Sequence, residues 1–254
     1  MYFHTGDTLI VVDMQNDFIP PRGAFGVKHG DEIEQAISNT VYSAIQHKTR
    51  VIFTQDWHPK DHMSFIELRK HCVQGTRGAN LCDTLFGTYT ELKEKGKDVH
   101  LVKKAFEKDT DSYSAIPYTN EEYFNKRFNE KGDINDTGAF EHPKTREGPI
   151  TDLIGPGRIW ICGLAEDFCV LDTAICARDM YPHTHVTILK HLTRCVNEEP
   201  LDQFEKYHIE LFPNVSWFVN YLLSTGHTFT DVELFLKSIQ PKDVPDGLKD
   251  ILKY

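Results

Sequence analysis

The sequence predicts an α/β fold, a three-layer α/β/α sandwich around a mainly parallel sheet of roughly six strands. Six short apolar runs recur along the 254 residues, and continuous runs of this kind are typical of strands buried on both faces. Segments with apolar residues every three or four positions, the spacing of an amphipathic helix, lie between them. Strand and helix in alternation indicate a parallel sheet with helices on its faces.

The elements follow from these patterns in chain order. Strands are predicted over residues 8–12, 50–54, 99–102, 158–162, 185–189 and 215–219, and helices over residues 33–45 and 170–180. Residues 118–148 are charged and weakly periodic, which predicts a surface insertion containing one helix. We expect one domain over residues 1–220. A helical C-terminal extension over 221–254, with an amphipathic helix at 229–239, is expected to pack on it.

The amino-acid composition argues against several classes of protein. Lys and Arg number 28 against 38 Asp and Glu, a net charge of −10, and an acidic surface repels nucleic acid. No apolar run approaches the roughly 18 residues of a membrane span, and no basic segment precedes the first apolar run, so no secretory signal is expected. Six cysteines without a CxxC pair do not indicate a disulfide framework. The prediction is a cytoplasmic protein, with the nucleus as the alternative.

The ends of the first two strands carry candidate chemistry, because ligands of such sheets bind beyond the carboxyl ends of the strands. Asp13 directly follows the first strand, where partial burial suits a general base, although a turn-forming aspartate is the alternative. Asp56 and His58 follow the second, and residues two apart in extended chain face the same side. Carboxylate and imidazole together suit zinc, iron or manganese. A third ligand could come from His62 or His71.

The third and fourth strands end in a lysine pair and a cysteine. Lys103 and Lys104 are solvated charges or, near a carboxylate and a thiol, stabilise developing negative charge. Cys169 lies between the fourth strand and the following helix, where unpaired N–H groups and the helix dipole favour a thiolate and can bind an oxyanion. Cys162, inside the strand, is predicted to be a buried packing residue.

The order of these residues at successive strand ends resembles the nicotinamidase/pyrazinamidase branch of the isochorismatase-like cysteine hydrolases. The matching segments are residues 9–18, 56–59, 71–79, 111–115 and 163–170, and the resemblance covers about residues 7–220. It implies a catalytic triad of Asp13, Lys104 and Cys169. Lys104 is preferred over Lys103 because the family lysine lies seven residues before the acidic position, here Asp111.

The same resemblance implies the remaining site residues. The metal ligands it implies are Asp56, His58 and His71, and a cis peptide is expected between Leu164 and Ala165. The N–H groups of Ala165 and Cys169 would then form the oxyanion hole. Leu68 stands where the family usually has tryptophan, so the aromatic wall of the substrate pocket is predicted to come from Phe18, Trp57 or Phe168.

The implied activity is hydrolysis of nicotinamide to nicotinate and ammonia through a cysteine thioester, in NAD salvage, with pyrazinamide also accepted. It requires one divalent metal ion, with zinc expected ahead of iron or manganese, and a homo-oligomer is compatible with the resemblance. The rivals are a related hydrolase acting on isochorismate, a carbamoyl or a ureido substrate, and a non-catalytic metal-binding or scaffolding protein. The D-x-H pair argues against the first rival, and the intact Asp, Lys and Cys set against the second.

Overall fold

The computed structural model of the protein describes residues 3–128 and 150–212, in which strands and helices alternate. The strands are β1 (Thr8–Val12), β2 (Arg50–Asp56), β3 (Val99–Lys104), β4 (Ile159–Leu164), β5 (Val186–Arg194) and β6 (Glu210–Phe212). The helices are α1 (Glu34–Gln46), α2 (Asp83–Glu94), α3 (Glu121–Phe128), α4 (Leu171–Met180) and α5 (Leu201–Lys206).

The strand order across the sheet is β3-β2-β1-β4-β5-β6, and β1 to β5 pair in parallel. Helix α1 packs against α2, β1 and β2, whereas α4 packs against β4 and β5. The chain runs outward from β1 in one direction and returns through β4 in the other. Right-handed crossovers therefore place α1 and α2 on one face and α4 on the opposite face. The predicted parallel α/β sandwich is confirmed.

Strands β1 and β4 form the buried centre of the sheet, and every residue of both is buried. They approach closely at Gly163, whose φ is +112°, in a region that L side chains rarely adopt. A Cβ added there would lie 2.0 Å from the carbonyl oxygen of Val12. Only glycine fits this position, which lies between the two strand ends that carry Asp13 and Cys169.

The predicted ranges of strands β1 to β5 overlap the observed ones, and β2, β3, β4 and β5 extend two or more residues beyond their predicted ends. Helices α2 and α5 escaped prediction, since α2 buries only Leu85, Thr88 and Leu92. The segment predicted as an insertion contributes α3, in which Tyr123 and Phe124 are buried. Its remaining residues 129–149, the strand predicted at 215–219 and the helix predicted at 229–239 lie outside the described residues.

The chain divides into compact units of residues 1–210 and 211–254. Apart from residues 211 and 212 the second unit is outside the described part, so the boundary predicted at residue 220 stays a prediction. All six cysteines are free, as the absence of a CxxC pair predicts. Among the described helices, none is long and apolar enough to cross a membrane.

Candidate active site

The candidate site lies at the carboxyl ends of four neighbouring strands. The strand order reverses between β1 and β4, and in open α/β sheets this switch point is where ligands bind. Asp13 follows β1 and Cys169 follows β4, while Asp56 ends β2 and Lys104 ends β3. Because the strands are parallel, all four residues lie at the same edge of the sheet.

Lys104 is fully buried and joins the other three residues. Its Nζ lies 2.9 Å from Asp13 Oδ2 and 3.5 Å from Cys169 Sγ, and it also donates a hydrogen bond to Asp56 Oδ1. Burial alone would lower the pKa of this lysine, but the two carboxylates outweigh it and raise the pKa well above its usual value. Lys104 therefore stays an ammonium ion inside the site.

Asp13 is held in place through one carboxylate oxygen and left open at the other. Thr54 Oγ1 donates to Asp13 Oδ1 over 2.6 Å and accepts from the Asp13 main-chain N–H over 3.2 Å. Asp13 Oδ2 faces the Lys104 ammonium but makes no aligned hydrogen bond to any described residue. Burial raises the pKa of Asp13 although Lys104 opposes the shift. This carboxylate is therefore suited to accept a proton.

Cys169 lies in a π-helical turn, Glu166–Val170, directly before α4. The peptide bond between Leu164 and Ala165 is cis, as the family resemblance implies. One atom each of Asp13, Asp56 and Cys169 lie within 4.8 Å of one another. The expectation that the helix start favours a thiolate is not met, because burial raises the pKa of the Cys169 thiol more than Lys104 lowers it. The thiol therefore requires a base, and Asp13 is beside it.

Asp56, His58 and His71 form a buried group whose ligand atoms lie within 4.8 Å of one another. The Nδ1 atoms of both histidines lie against main-chain carbonyl oxygens, that of His58 3.0 Å from Ala105 and that of His71 2.7 Å from Arg69. A carbonyl only accepts, so each Nδ1 carries a proton and each Nε2 is left to face the group, that of His58 3.6 Å from Asp56 Oδ2. Two imidazole nitrogens and a carboxylate are a suitable donor set for zinc, iron or manganese.

His62, the alternative third ligand, has both ring nitrogens engaged. Its Nε2 lies 3.1 Å from the Thr110 carbonyl and its Nδ1 lies 2.7 Å from Ser64 Oγ. The ring stacks on that of His58 with centroids 4.1 Å apart. His62 also groups with His58 and Asp111 within 4.8 Å, but coordination through Nε2 would cost its hydrogen bond to Thr110. Of the two alternatives, His71 offers the free nitrogen.

Residues after β1 hold together the segments that carry Asp56 and His71. Gln15 donates to the carbonyl of Asp56 and accepts from its main-chain N–H, both over 2.8 Å. Asp17 Oδ2 accepts from the N–H of Cys72, next to His71, over 2.7 Å. A Cβ at Gly78 would lie 2.2 Å from the Asp17 carboxylate, so a larger residue there would displace the carboxylate that holds Cys72. These contacts account for Gln15, Asp17 and Gly78 in the two sequence motifs.

Aromatic rings surround the histidines. The ring of Phe18 lies 5.5 Å from that of His71. Phe25 and Phe65, which the sequence analysis missed, lie 5.4 and 5.8 Å from His71, and Phe65 also lies 5.5 Å from His58. No local pattern distinguishes them among the 16 phenylalanines.

The other two predicted wall residues lie in different surroundings. Phe168 packs edge-on against Tyr113 at 5.5 Å, directly before Cys169 in the chain. The ring of Trp57 lies 3.8 Å from Lys103 Nζ, and strand alternation turns Lys103 away from Lys104. The carbonyl of Ser112 accepts a hydrogen bond from Lys104 Nζ over 3.3 Å. The sequence analysis did not single out Ser112 or Tyr113, although both belong to the segment 111–115 that matches the family. The substrate-binding roles of these residues stay predictions.

Comparisons with known proteins agree with this geometry. The model of the Isochorismatase domain family matches residues 7–108. Nicotinamidase from Saccharomyces cerevisiae is 31% identical over 222 residues, covering 76% of this chain and 90% of that protein. The structure of the yeast nicotinamidase superposes with a TM-score of 0.62 and 26% identity, over 82% of this chain and 100% of that one. The pyrazinamidase of Pyrococcus horikoshii, solved in complex with zinc, gives 0.54 and 26%, over 81% and 98%.

Proposed function

We propose that this chain, which belongs to the nicotinamidase family of isochorismatase-like hydrolases, hydrolyses nicotinamide to nicotinate and ammonia through a thioester on Cys169. The observation that carries the proposal is the contact of buried Lys104 with both Asp13 and Cys169, beside the group of Asp56, His58 and His71. In the cell this reaction would serve NAD salvage in the cytoplasm, and pyrazinamide would be a second substrate.

Asp56, His58 and His71 would hold one divalent metal ion. The zinc bound by the Pyrococcus relative supports zinc here, while iron and manganese accept the same donors. When bound, the ion would supply an electrophilic position for the pyridine nitrogen of the substrate. Burial lowers the pKa of His71, which favours the neutral imidazole that coordination requires.

The first half of the reaction transfers the acyl group to sulfur. Asp13 takes the proton of the Cys169 thiol, and the sulfur forms a bond to the amide carbon while the carbonyl electron pair moves to oxygen. The N–H groups of Ala165 and Cys169 would donate to this oxyanion. Asp13 then gives its proton to the amide nitrogen as the carbon–nitrogen bond breaks, which releases ammonia and leaves the thioester.

Water completes the second half. Asp13 accepts a proton from water as the water oxygen bonds to the acyl carbon, and it passes this proton to the sulfur as the carbon–sulfur bond breaks. The carboxylic acid releases its remaining proton to solvent and leaves as nicotinate. Lys104 stays an ammonium throughout, beside Asp13 and Cys169. Proton transfer from Cys169 to Asp13 moves a negative charge between two partners of the same ammonium and changes no net charge. This lowers the cost of forming a thiolate in a buried site.

Release of ammonia from nicotinamide tests the proposal, with Cys169→Ala compared against Cys162→Ala. Cys162 is buried inside β4 and has no role in the proposed reaction, so its variant should lose stability and keep its kcat within about threefold. The Cys169 variant should fold and bind metal but show no turnover. A chelator should abolish the activity of the wild type, and added zinc should restore it.

Substantial ammonia release by the Cys169 variant would contradict the thioester mechanism. Faster turnover of isochorismate, an N-carbamoyl amino acid or a ureido compound than of nicotinamide would favour a related hydrolase. Stoichiometric metal binding without turnover of any of these substrates would favour a non-catalytic metal-binding protein.

A further inference from the structure

A fully buried carboxylate in α4, Asp172, draws its partners from a segment that the sequence analysis treats as an insertion. The hydroxyls of Tyr118 and Tyr123 donate to it over 2.5 and 2.8 Å, and Arg127 Nε donates over 3.1 Å. A buried carboxylate is costly unless it is paired and hydrogen-bonded. Helix α3 and the residues before it therefore supply the hydrogen-bond donors that the buried carboxylate of α4 requires.

Arg127 reaches further than this ion pair. Its Nη2 donates to the carbonyl of Asp167 in the turn that carries Cys169, over 3.1 Å. Its guanidinium carbon lies 4.8 Å from the centre of the Tyr113 ring and 5.1 Å from that of Phe168. A planar guanidinium can stack on aromatic rings and donate hydrogen bonds at its edge at the same time. One side chain thus joins α4, the main chain of the turn and both rings.

These two rings flank the reactive groups. Phe168 directly precedes Cys169, and Tyr113 directly follows Ser112, whose carbonyl accepts from Lys104. The turn is also anchored on its other side, because the Asp167 carboxylate accepts from the main-chain N–H groups of residues 196 and 197, both over 2.9 Å. Phe168 is therefore held between two anchors, of which Arg127 is the one that also touches the rings.

From these contacts we infer that Arg127 is a positioning residue that fixes Phe168 against Tyr113 and thereby sets how tightly the site binds a flat aromatic amide. The identity of that amide rests on the proposed function. Arg127 touches no reacting group, so its removal should weaken substrate binding and leave the chemical step nearly unchanged.

A merely structural role must be separated from this one, because Arg127→Met leaves Asp172 as a buried carboxylate without its cation. The double variant Arg127→Met with Asp172→Asn removes both charges, and the two tyrosine hydroxyls can still bond to the amide. If Arg127 serves only as the counterion, the double variant regains the Tm and the KM of the wild type. If it positions the rings, the Tm recovers and the KM does not.

We expect the double variant to raise KM for nicotinamide about tenfold, in keeping with the loss of a desolvated guanidinium–aromatic contact, with kcat within about threefold of the wild type. Arg127→Lys keeps the charge near Asp172 but loses the planar stack and the Nη2 donor, so it should raise KM similarly at nearly unchanged Tm. It serves as the test if the double variant does not fold. Lys126→Met, on the exposed side of α3, is the matched control and should change neither quantity.

A second readout does not depend on turnover. The rate at which iodoacetamide alkylates Cys169, followed by mass spectrometry of its peptide, should rise severalfold in the double variant because Phe168 no longer has its second anchor. Faster alkylation with no nicotinamide hydrolysis by the wild type would refute the proposed function and support the role of Arg127. Unchanged KM and alkylation in a folded double variant, or in Arg127→Lys, would overturn that role.

Discussion

Two buried aspartates bracket β1, and they have different surroundings. Asp7, just before the strand, has both oxygens hydrogen-bonded to fixed donors: Oδ1 accepts from the Arg158 N–H over 2.9 Å, and Oδ2 accepts from His4 N–H and Trp160 Nε1, each over 3.0 Å. Asp13, just after the strand, has one oxygen fixed by Thr54 and the other facing Lys104 without an aligned hydrogen bond.

The difference indicates what each end of the sheet does. A carboxylate whose two oxygens both accept from fixed donors ties elements together. A carboxylate held by one oxygen keeps its orientation while its second oxygen can exchange a proton with a neighbour. The amino end of β1 is therefore structural, and the carboxyl end is arranged for chemistry.

The largest expected effect comes from replacing each aspartate by asparagine. Asp13→Asn has the same shape but cannot take the thiol proton, so kcat for nicotinamide should fall by about 10³-fold. Asp7→Asn directs an amide N–H at groups that donate, which should lower the free energy of unfolding by about 1–3 kcal/mol and leave kcat within about twofold. Ammonia release and urea unfolding measure the two effects.

The comparison would fail if the two variants behaved alike. An Asp13 variant with a tenth or more of the wild-type kcat would exclude Asp13 as the essential base. A folded Asp7 variant with an equally large loss of kcat would show that the amino end of β1 also serves the reaction.

A second prediction compares two histidines at the carboxyl end of the sheet, His71 and His62, which differ in whether a ring nitrogen is free of hydrogen bonds. His71→Ala removes a free Nε2, so the variant should retain less than one equivalent of metal by elemental analysis. His62→Asn removes a ring whose nitrogens are both hydrogen-bonded, and it should keep the full equivalent. Asp56 is the poorer test because it also bonds to Lys104.

The same variants test ring recognition. The wild type should prefer nicotinamide and pyrazinamide over benzamide by about 100-fold in kcat/KM, because benzamide lacks the ring nitrogen that the proposed metal ion would bind. His71→Ala should remove most of this preference, whereas His62→Asn should preserve it. Equal kcat/KM for nicotinamide and benzamide in the metal-loaded wild type would refute this role of the metal group.

The sequence was sufficient to bring Asp13, Asp56, Lys104 and Cys169 to one edge, because parallel strands align their carboxyl ends. The first three residues end or directly follow a strand, and Cys169 lies in the turn between β4 and α4. Spacing could not decide between His62 and His71, since the outcome depends on which main-chain carbonyls the ring nitrogens meet. Arg127 and Asp172 are 45 residues apart, and no local pattern predicts such a contact. The charged residues of the segment 118–128 likewise predicted a surface position, although two of its tyrosines bond to a buried carboxylate.

The smallest expected effect concerns backbone strain, which differs between the two ends of β1 and of β3. Before these strands the positive φ angles of +95° and +64° belong to Gly6 and Gly96, whereas directly after them Asp13 and Ala105 have φ of 45° and 49°. Non-glycine residues in the left-handed region are costly and concentrate at functional sites.

Ala105→Gly should therefore stabilise the protein by up to about 1 kcal/mol in urea unfolding, the relief of strain exceeding the entropy that glycine adds to the unfolded chain. Its carbonyl binds His58 through the main chain, so kcat should stay within about twofold. Gly6→Ala is the reverse exchange. The nearest atom to its new Cβ is Pro156 Cγ at 3.6 Å, an ordinary contact, so the expected loss of about 1 kcal/mol reports backbone strain alone. If Ala105→Gly instead lowered kcat tenfold or more, the left-handed alanine would be holding Lys104 and His58 in place through its rigidity, and the strain would belong to the reaction.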